Sequence, residues 1–346
     1  MIKACWSRYT LDFRFLAKTS REEMRTKDTY FVKIFDTDNP TIEGVGECGL
    51  FKGLSADDVA DYEYILSEAC RHPLDPLPEM SSIRMGFETA FADLRNGGKK
   101  IVFPSDWQNG KTGIEINGLI WMGDKATMLS RIQEKIERGF KILKLKIGGI
   151  DFGEELSILK LIRNTYCPED LEIRLDANGS FTPDNALQRL DLLSQYHIHS
   201  IEQPIRAGLR EQMLSICRQS PIPIALDEEL IGYRNDKEME SMLDDIRPQY
   251  IILKPTLCGG FERSDKWIEL AEKKNIGWWA TSALESNIGL NAIAQWISSK
   301  NNPLAQGLGT GELYHNNIPS PIYMSGDTLN YDINSRWEIP ELPWHQ

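Results

Sequence analysis

The chain is poor in the residues that mark several common functions. No C-x-x-C pair occurs, and the six cysteines (Cys5, Cys48, Cys70, Cys167, Cys217 and Cys258) stand far apart. Isolated thiols in a long chain usually pack as small apolar side chains. A disulfide framework is therefore not expected, and a reduced, cytoplasmic setting is. Histidine is scarce, at five residues; His197 and His199 alternate as strand ligands would, but no third ligand stands beside them. No apolar run reaches the roughly 18 residues of a membrane span. The N-terminal stretch alternates polar and apolar residues and has no continuous apolar core of a secretory signal. Basic charge is in deficit, 39 residues against 51 acids, for a formal charge of −12. Nothing in that balance attracts nucleic-acid phosphates or anionic lipid, so a small molecule is the expected partner.

What is present is an ordinary globular composition, 41% hydrophobic over 346 residues, enough for two domains or one large barrel with additions. Residues 2–16 and 29–49 read as strands, with a charged loop at 18–28 between them. A helix is expected from Ser55 to about Cys70, and a second one after a Pro-rich link at 72–78, with Ser81 or Ser82 as its N-cap. This is a small α+β domain. From about residue 114 short apolar strands alternate with helices. The strands are expected at 114–120, 141–147, 171–176, 200–202, 223–227, 250–254, 277–281 and 305–308. Eight strands in one alternating series predict a closed α/β barrel. The Pro-rich tail from about 318 breaks the repeat and is expected to pack back on the first domain. The expected division is 1–112 with 318–346, and 113–317.

The chemistry is carried by the strand ends. Lys146, Asp176, Glu202, Asp227 and Lys254 each close a strand, at separations of 30, 26, 25 and 27 residues. One βα unit has about that length, so all five stand at the C-terminal mouth, where barrel enzymes keep their active sites. A single acid at a strand end is usually a solvated ion-pair partner. Three on neighbouring strands, Asp176, Glu202 and Asp227, repel one another unless a cation joins them. Hard oxygen donors without His or Cys suit Mg²⁺, with Mn²⁺ admissible. Lys144 and Lys146 share a strand face and point inward, and Lys254 faces them from across the ring. A divalent cation beside a lysine suits removal of the proton α to a carboxylate. That names a reaction class and a carboxylate substrate, not a product.

Lys-Leu-Lys-Ile-Gly (144–148), Arg-Leu-Asp-Ala-Asn-Gly (174–179), Ile-Glu-Gln-Pro (201–204), Leu-Asp-Glu (226–228) and Leu-Lys-Pro (253–255) together resemble the enolase superfamily, muconate-lactonizing subgroup. The resemblance spans nearly the whole chain and implies a modified (β/α)₇β TIM-like barrel under an α+β capping domain. The seventh strand, 277–286, lacks the histidine of mandelate-racemase-like members. Lys-Pro-Thr-Leu (254–257) and Ser-Ala-Leu-Glu-Ser-Asn-Ile-Gly (282–289) are similar to members that dehydrate 2-succinyl-6-hydroxy-2,4-cyclohexadiene-1-carboxylate, via an enediolate, in menaquinone biosynthesis. By that resemblance Lys146 removes the proton and then protonates the departing hydroxyl in a syn elimination. Lys254 lies over the forming ring, and Lys144 stands beside the substrate carboxylate. Arg174 and Glu228 stand behind the metal ligands. Thr281 and the Gly307 backbone hold the succinyl tail, and loops 18–28 and 49–53 close over the substrate. An N-acylamino acid racemase or a dipeptide epimerase on the same scaffold is the alternative, although the last strand has a lone Glu312 where such epimerases carry Asp-x-Asp. A muconate cycloisomerase and a non-catalytic carboxylate-binding barrel are more remote. The oligomeric state stays open at this level.

Overall fold

Three long strands, β1 (Ile2–Lys18), β2 (Glu23–Asp36) and β3 (Asn39–Cys48), form an antiparallel sheet in that order. The computed structural model describes residues 1–18 and 23–346. Helices α1 (Tyr62–Arg71) and α2 (Ser81–Arg95) cover one face and bury Val32, Ile34, Leu66, Ile83 and Phe87 in one cluster. The approach of α2 to β3 is very close: a Cβ on Gly46 would fall 1.9 Å from the Gly86 carbonyl oxygen.

Two expectations for this region need correction. Residues 23–28 belong to β2, not to a loop, and 19–22 lie outside the described residues. The ladder extends because its charges pair across strands: Asp28 meets Arg8 at 2.5 Å and accepts from Thr10 Oγ1 at 2.7 Å. The helix expected from Ser55 starts only at Tyr62. Ser55 instead closes a tight turn, accepting from the Phe51 N–H at 3.1 Å. Asp57 is spent capping another helix, accepting from the backbone of Ser81 and Ser82 at the start of α2.

The rest of the chain alternates. After β4 (Ile114–Glu115) come β5 (Gly118–Ile120), α3 (Lys125–Glu137), β6 (Ile142–Lys146), α4 (Phe152–Thr165), β7 (Glu172–Asp176), α5 (Pro183–Ser194) and β8 (Ser200–Glu202). Then follow α6 (Arg210–Gln219), β9 (Ile224–Leu226), α7 (Asp236–Ile246), β10 (Tyr250–Leu253), α8 (Pro255–Cys258), α9 (Gly260–Lys273), β11 (Gly277–Ala280) and α10 (Asn287–Ser298). Strands β5 to β11 form one parallel sheet in sequence order. The eighth expected strand, 305–308, is only a seam. It is bridged to Ile116 on one edge and Thr281 on the other. Two hydrogen bonds hold the first side (Gln306 N–H to Glu115 O, Asn117 N–H to Gln306 O) and two the second (Gly307 N–H to Ala280 O, Ser282 N–H to Gly307 O).

The tail returns to the start of the chain. Strands β12 (Ile322–Ser325) and β13 (Thr328–Tyr331) pair with β4. Trp337, Ile339, Leu342 and Trp344 then pack against Phe31 and Val45 of the first sheet. Among the described residues no helix is long and apolar enough to cross a membrane.

Cap and barrel are joined by carboxylates set on helix N-termini, where orphan N–H groups and the helix dipole favour negative charge. Glu47 accepts from the Ser286 and Gly289 N–H groups at 2.9 Å each, at the start of α10. Glu88 of α2 accepts from the Phe261 N–H at 2.6 Å, at the start of α9. Burial pushes the Glu88 carboxyl up to about 7 despite these backbone donors. The folded state therefore binds its proton more tightly than the unfolded chain does. This group's contribution is most favourable below the ordinary carboxylate range and is lost as pH rises to about 7. Urea unfolding at pH 5 and pH 7.5 should show a smaller loss of stability with rising pH in Glu88→Gln than in the unaltered protein.

Candidate active site

Strand register brings the charged residues to one level. Lys146 pairs with Asp176, and Asp176 with Glu202; Asp227 and Lys254 follow the last residues of β9 and β10. Apolar neighbours Leu143, Leu145, Leu175 and Ile201 are buried against the helices, so alternation turns the charges into the barrel. The three acids and Lys144 are almost fully buried.

The lysines interleave with the acids. Lys144 Nζ lies 3.1 Å from Asp176 Oδ2 and also contacts Glu202 Oε2. Lys254 Nζ contacts Asp227 Oδ2 and approaches Glu202 Oε1 at 3.9 Å. Lys146 Nζ donates to Asp176 Oδ2 at 2.9 Å and to Asn178 Oδ1 at 2.8 Å. Burial opposes ionisation of Asp176 and Asp227, but the neighbouring ammonium groups outweigh it and hold both carboxyls below their ordinary range. Glu202 goes the other way: burial and the flanking Asp176 and Asp227 push it well up. For Lys144 and Lys254 burial works against the charge, and the acids more than offset it, raising both.

A cavity of about 280 Å³ opens on this cluster. Its charged lining includes Lys144, Lys146, Asp176, Glu228 and Lys254, and Thr281, Ser282, Gly307 and Thr310 line it as well, beginning beside Lys254 where β11 pairs with β10. Phe51, Gly53 and Leu54 of the cap also line it. No described residue of 18–28 does. Gly307 is required where it stands, since a Cβ there would fall 1.7 Å from Thr281 Oγ1. Glu228 Oε1 accepts from Asn178 Nδ2 at 3.2 Å.

Three predicted site residues stay off the cavity lining: Glu202 and Asp227, each in contact with a lysine that is on it, and Arg174. Arg174 points inward as alternation requires, but one layer deeper than Asp176. Its guanidinium donates to Glu172 Oε1 at 2.7 Å and Ala305 O at 2.8 Å, and stacks 4.7 Å from the Trp279 ring centre. It ties the barrel floor to the seam and does not stand behind the ligands. Sequence reasoning passed over Asn178, which orients Lys146, although it lies inside a quoted motif two residues after Asp176. It also missed Trp121, whose ring centre is 5.9 Å from Lys146 Nζ, and the Ser282–Thr310 hydroxyl pair at 2.7 Å. A lone tryptophan and two hydroxyls carry no spacing signal.

Among the described residues, no three acidic, histidine or cysteine side chains are already gathered around one point at metal-ligand spacing. The physical reason is the interleaving: Lys144 and Lys254 ammonium groups stand between the carboxylates that a cation would draw together. The donors still fit a hard divalent cation. They are all carboxylate oxygens, buried together at the ends of neighbouring strands.

A family model described as enolase C-terminal domain-like matches residues 127–338. The chain belongs to that family. Over 94% of its length and 97% of the relative's, the chain is 43% identical to an o-succinylbenzoate synthase of Desulfotalea psychrophila. The crystal structure of MenC from the same organism superposes with a TM-score of 0.80 at 40% identity, covering 95% of this chain and 99% of that one. This enolase-family barrel is also similar to a dipeptide epimerase from Enterococcus faecalis complexed with Mg and L-Leu-L-Tyr. There the TM-score is 0.81 at 18% identity, covering 99% and 98%, a likeness of fold alone.

Proposed function

We infer that the chain is a lyase, an o-succinylbenzoate synthase that removes water from 2-succinyl-6-hydroxy-2,4-cyclohexadiene-1-carboxylate in menaquinone biosynthesis. The observation that carries the reading is the near full-length identity to a synthase of that name, 43%. The three lysines and Asp176 on one cavity, with Glu202 and Asp227 buried beside those lysines, support it. Residues 1–112 with 318–346 serve as the capping domain and 113–317 as the catalytic barrel.

Asp176, Glu202 and Asp227 would hold Mg²⁺. When bound, the cation supplies positive charge against which negative charge builds on the substrate carboxylate. Lys146 Nζ takes the ring proton α to that carboxylate and returns it to the hydroxyl, which departs as water while the ring gains its third double bond. Asn178 and Asp176 hold that Nζ in place. Lys254, anchored on Asp227, stays charged across the ring and attracts its π face. Phe51 and Leu54 keep water from the ring, and Thr281, Ser282 and Thr310 offer hydroxyls to the succinyl tail.

Racemisation of an N-acyl amino acid is the second reading, because lysines from strands on opposite sides of the ring suit removal and return of one proton. A dipeptide epimerase fits less well. Glu312 is half exposed, pairs with Arg138 at 3.0 Å and stays off the cavity lining, so it is poorly placed to receive a substrate ammonium. Loss of diene absorbance, followed with and without EDTA, tests the synthase. Metal-dependent loss is expected; none would refute it, and turnover of N-succinyl amino acids alone would establish the racemase.

A further inference from the structure

Two aromatic side chains, Phe51 and Trp121, are part of the cavity lining. Phe51 comes from the cap. Trp121 directly follows β5, which pairs with β6, while β6 to β9 separate it from β10 along the sheet. The indole therefore stands beside Lys146 and not beside Lys254. Its ring centre is 5.9 Å from Lys146 Nζ, and the side chain is almost fully buried. The chemistry above makes no use of it.

The indole is held in place before any ligand arrives. Arg131 of α3 donates to the carbonyls of Trp121 and Met122, at 2.8 Å each, which fixes the backbone at the strand end. Phe15 of β1 meets the indole edge-on, with 5.7 Å between ring centres and 67° between planes. The Arg131 guanidinium lies over that Phe15 ring in turn, at 5.7 Å. Leu284 and Leu313 belong to the same buried cluster. A large side chain so restrained has little rotamer freedom left to lose on binding.

A carbon that gives its proton to Lys146 Nζ comes to about 3 Å from that atom. A six-membered ring carrying the carbon then comes within reach of the indole, since aromatic rings pair at about 4.5–7 Å between centres. An N-acyl amino acid offers the same amine a tetrahedral carbon and no ring, so the indole has nothing flat to lie against. We propose that Trp121 is a specificity-determining residue. Its indole is the surface on which the substrate ring lies while Lys146 takes the α proton, so the site prefers a ring-bearing succinyl carboxylate to an open-chain one. The proposal rests on the reading of that cavity as the substrate site, with Lys146 as base. It concerns the ring alone, because the succinyl tail is common to both substrate classes.

The test compares unaltered protein, Trp121→Phe and Trp121→Leu, with Mg²⁺ present throughout. Calorimetry reads the affinity for 2-succinylbenzoate and for N-succinylvaline, dicarboxylates that share the succinyl group and differ in the ring. In W121L the first should weaken about thirtyfold and the second by no more than about threefold. W121F keeps a smaller face and should fall between W121L and the unaltered protein for 2-succinylbenzoate. For the diene acid, kcat/KM should follow the same order. Equal weakening of both ligands would mean that the indole acts only through the Lys146 ammonium, and that overturns the proposal. So does a lower melting temperature with both affinities unmoved, the result expected of packing between cap and barrel alone. If W121L does not fold, W121F decides: a loss of about threefold or more confined to 2-succinylbenzoate supports the proposal, and no such loss rejects it. If the unaltered protein does not turn over the diene acid, the synthase reading fails, and the two affinities still decide the role of Trp121.

Discussion

Lys146→Ala is expected to lower kcat for the dehydration by about two to four orders of magnitude, the range lost with a positioned acid–base group. Lys146 Nζ is the amine held toward the cavity by both a carboxylate and a carboxamide, Asp176 and Asn178. Its removal does not leave a buried acid alone, because Lys144 stays 3.1 Å from the same Asp176 oxygen. The variant should therefore fold, and calorimetry with Mg²⁺ present should find 2-succinylbenzoate bound within about tenfold of the unaltered affinity. Full turnover by the variant would remove the base assignment.

Glu202→Gln separates the metal from the fold. Glu202 lies between Asp176 and Asp227, with the Lys144 ammonium against one of its oxygens and that of Lys254 at 3.9 Å from the other. Its carboxyl already tends to keep its proton when no cation balances the two acids, so a neutral amide of the same shape should leave melting in EDTA nearly unchanged. Adding Mg²⁺ should raise the melting temperature of the unaltered protein, by the stability equivalent of about 2.7 kcal/mol at a hundredfold excess over Kd. In E202Q that rise should vanish, and activity should fall by about 10³ or more. A variant that still responds to Mg²⁺ would displace Glu202 from the ligand set.

The parts of the fold legible in the sequence are those where a strand carries its own punctuation. A charge after an apolar run, repeated at βα spacing, marks Lys146, Asp176, Glu202, Asp227 and Lys254 as strand-end residues, and the strand register sets them at one level. Elements whose partners are distant in sequence were less legible. Asp57 is committed to the Ser81 and Ser82 amides, so its neighbourhood does not become helix. Residues 23–28 look like a loop only until Arg8 and Thr10 are set opposite Asp28. Arg174 shares its inward face with Asp176, and alternation says nothing of depth. Residues 305–308 read as a strand like the others, yet only single bridges hold them, because the chain winds into a 3-10 turn at Gly309–Glu312 and leaves little extended backbone to pair.

That seam bears on how this barrel could change its substrate. The charged groups stand on or directly after strands β6 to β10, where continuous pairing fixes register, so altering one strand there disturbs its neighbours. Thr281, Ser282, Gly307 and Thr310 stand beside a joint of four hydrogen bonds. Sequence change can reshape the wall that reads the substrate's tail while the wall that moves the proton stays in place. A new specificity should therefore be sought first in residues 305–310, with the six charged positions left untouched.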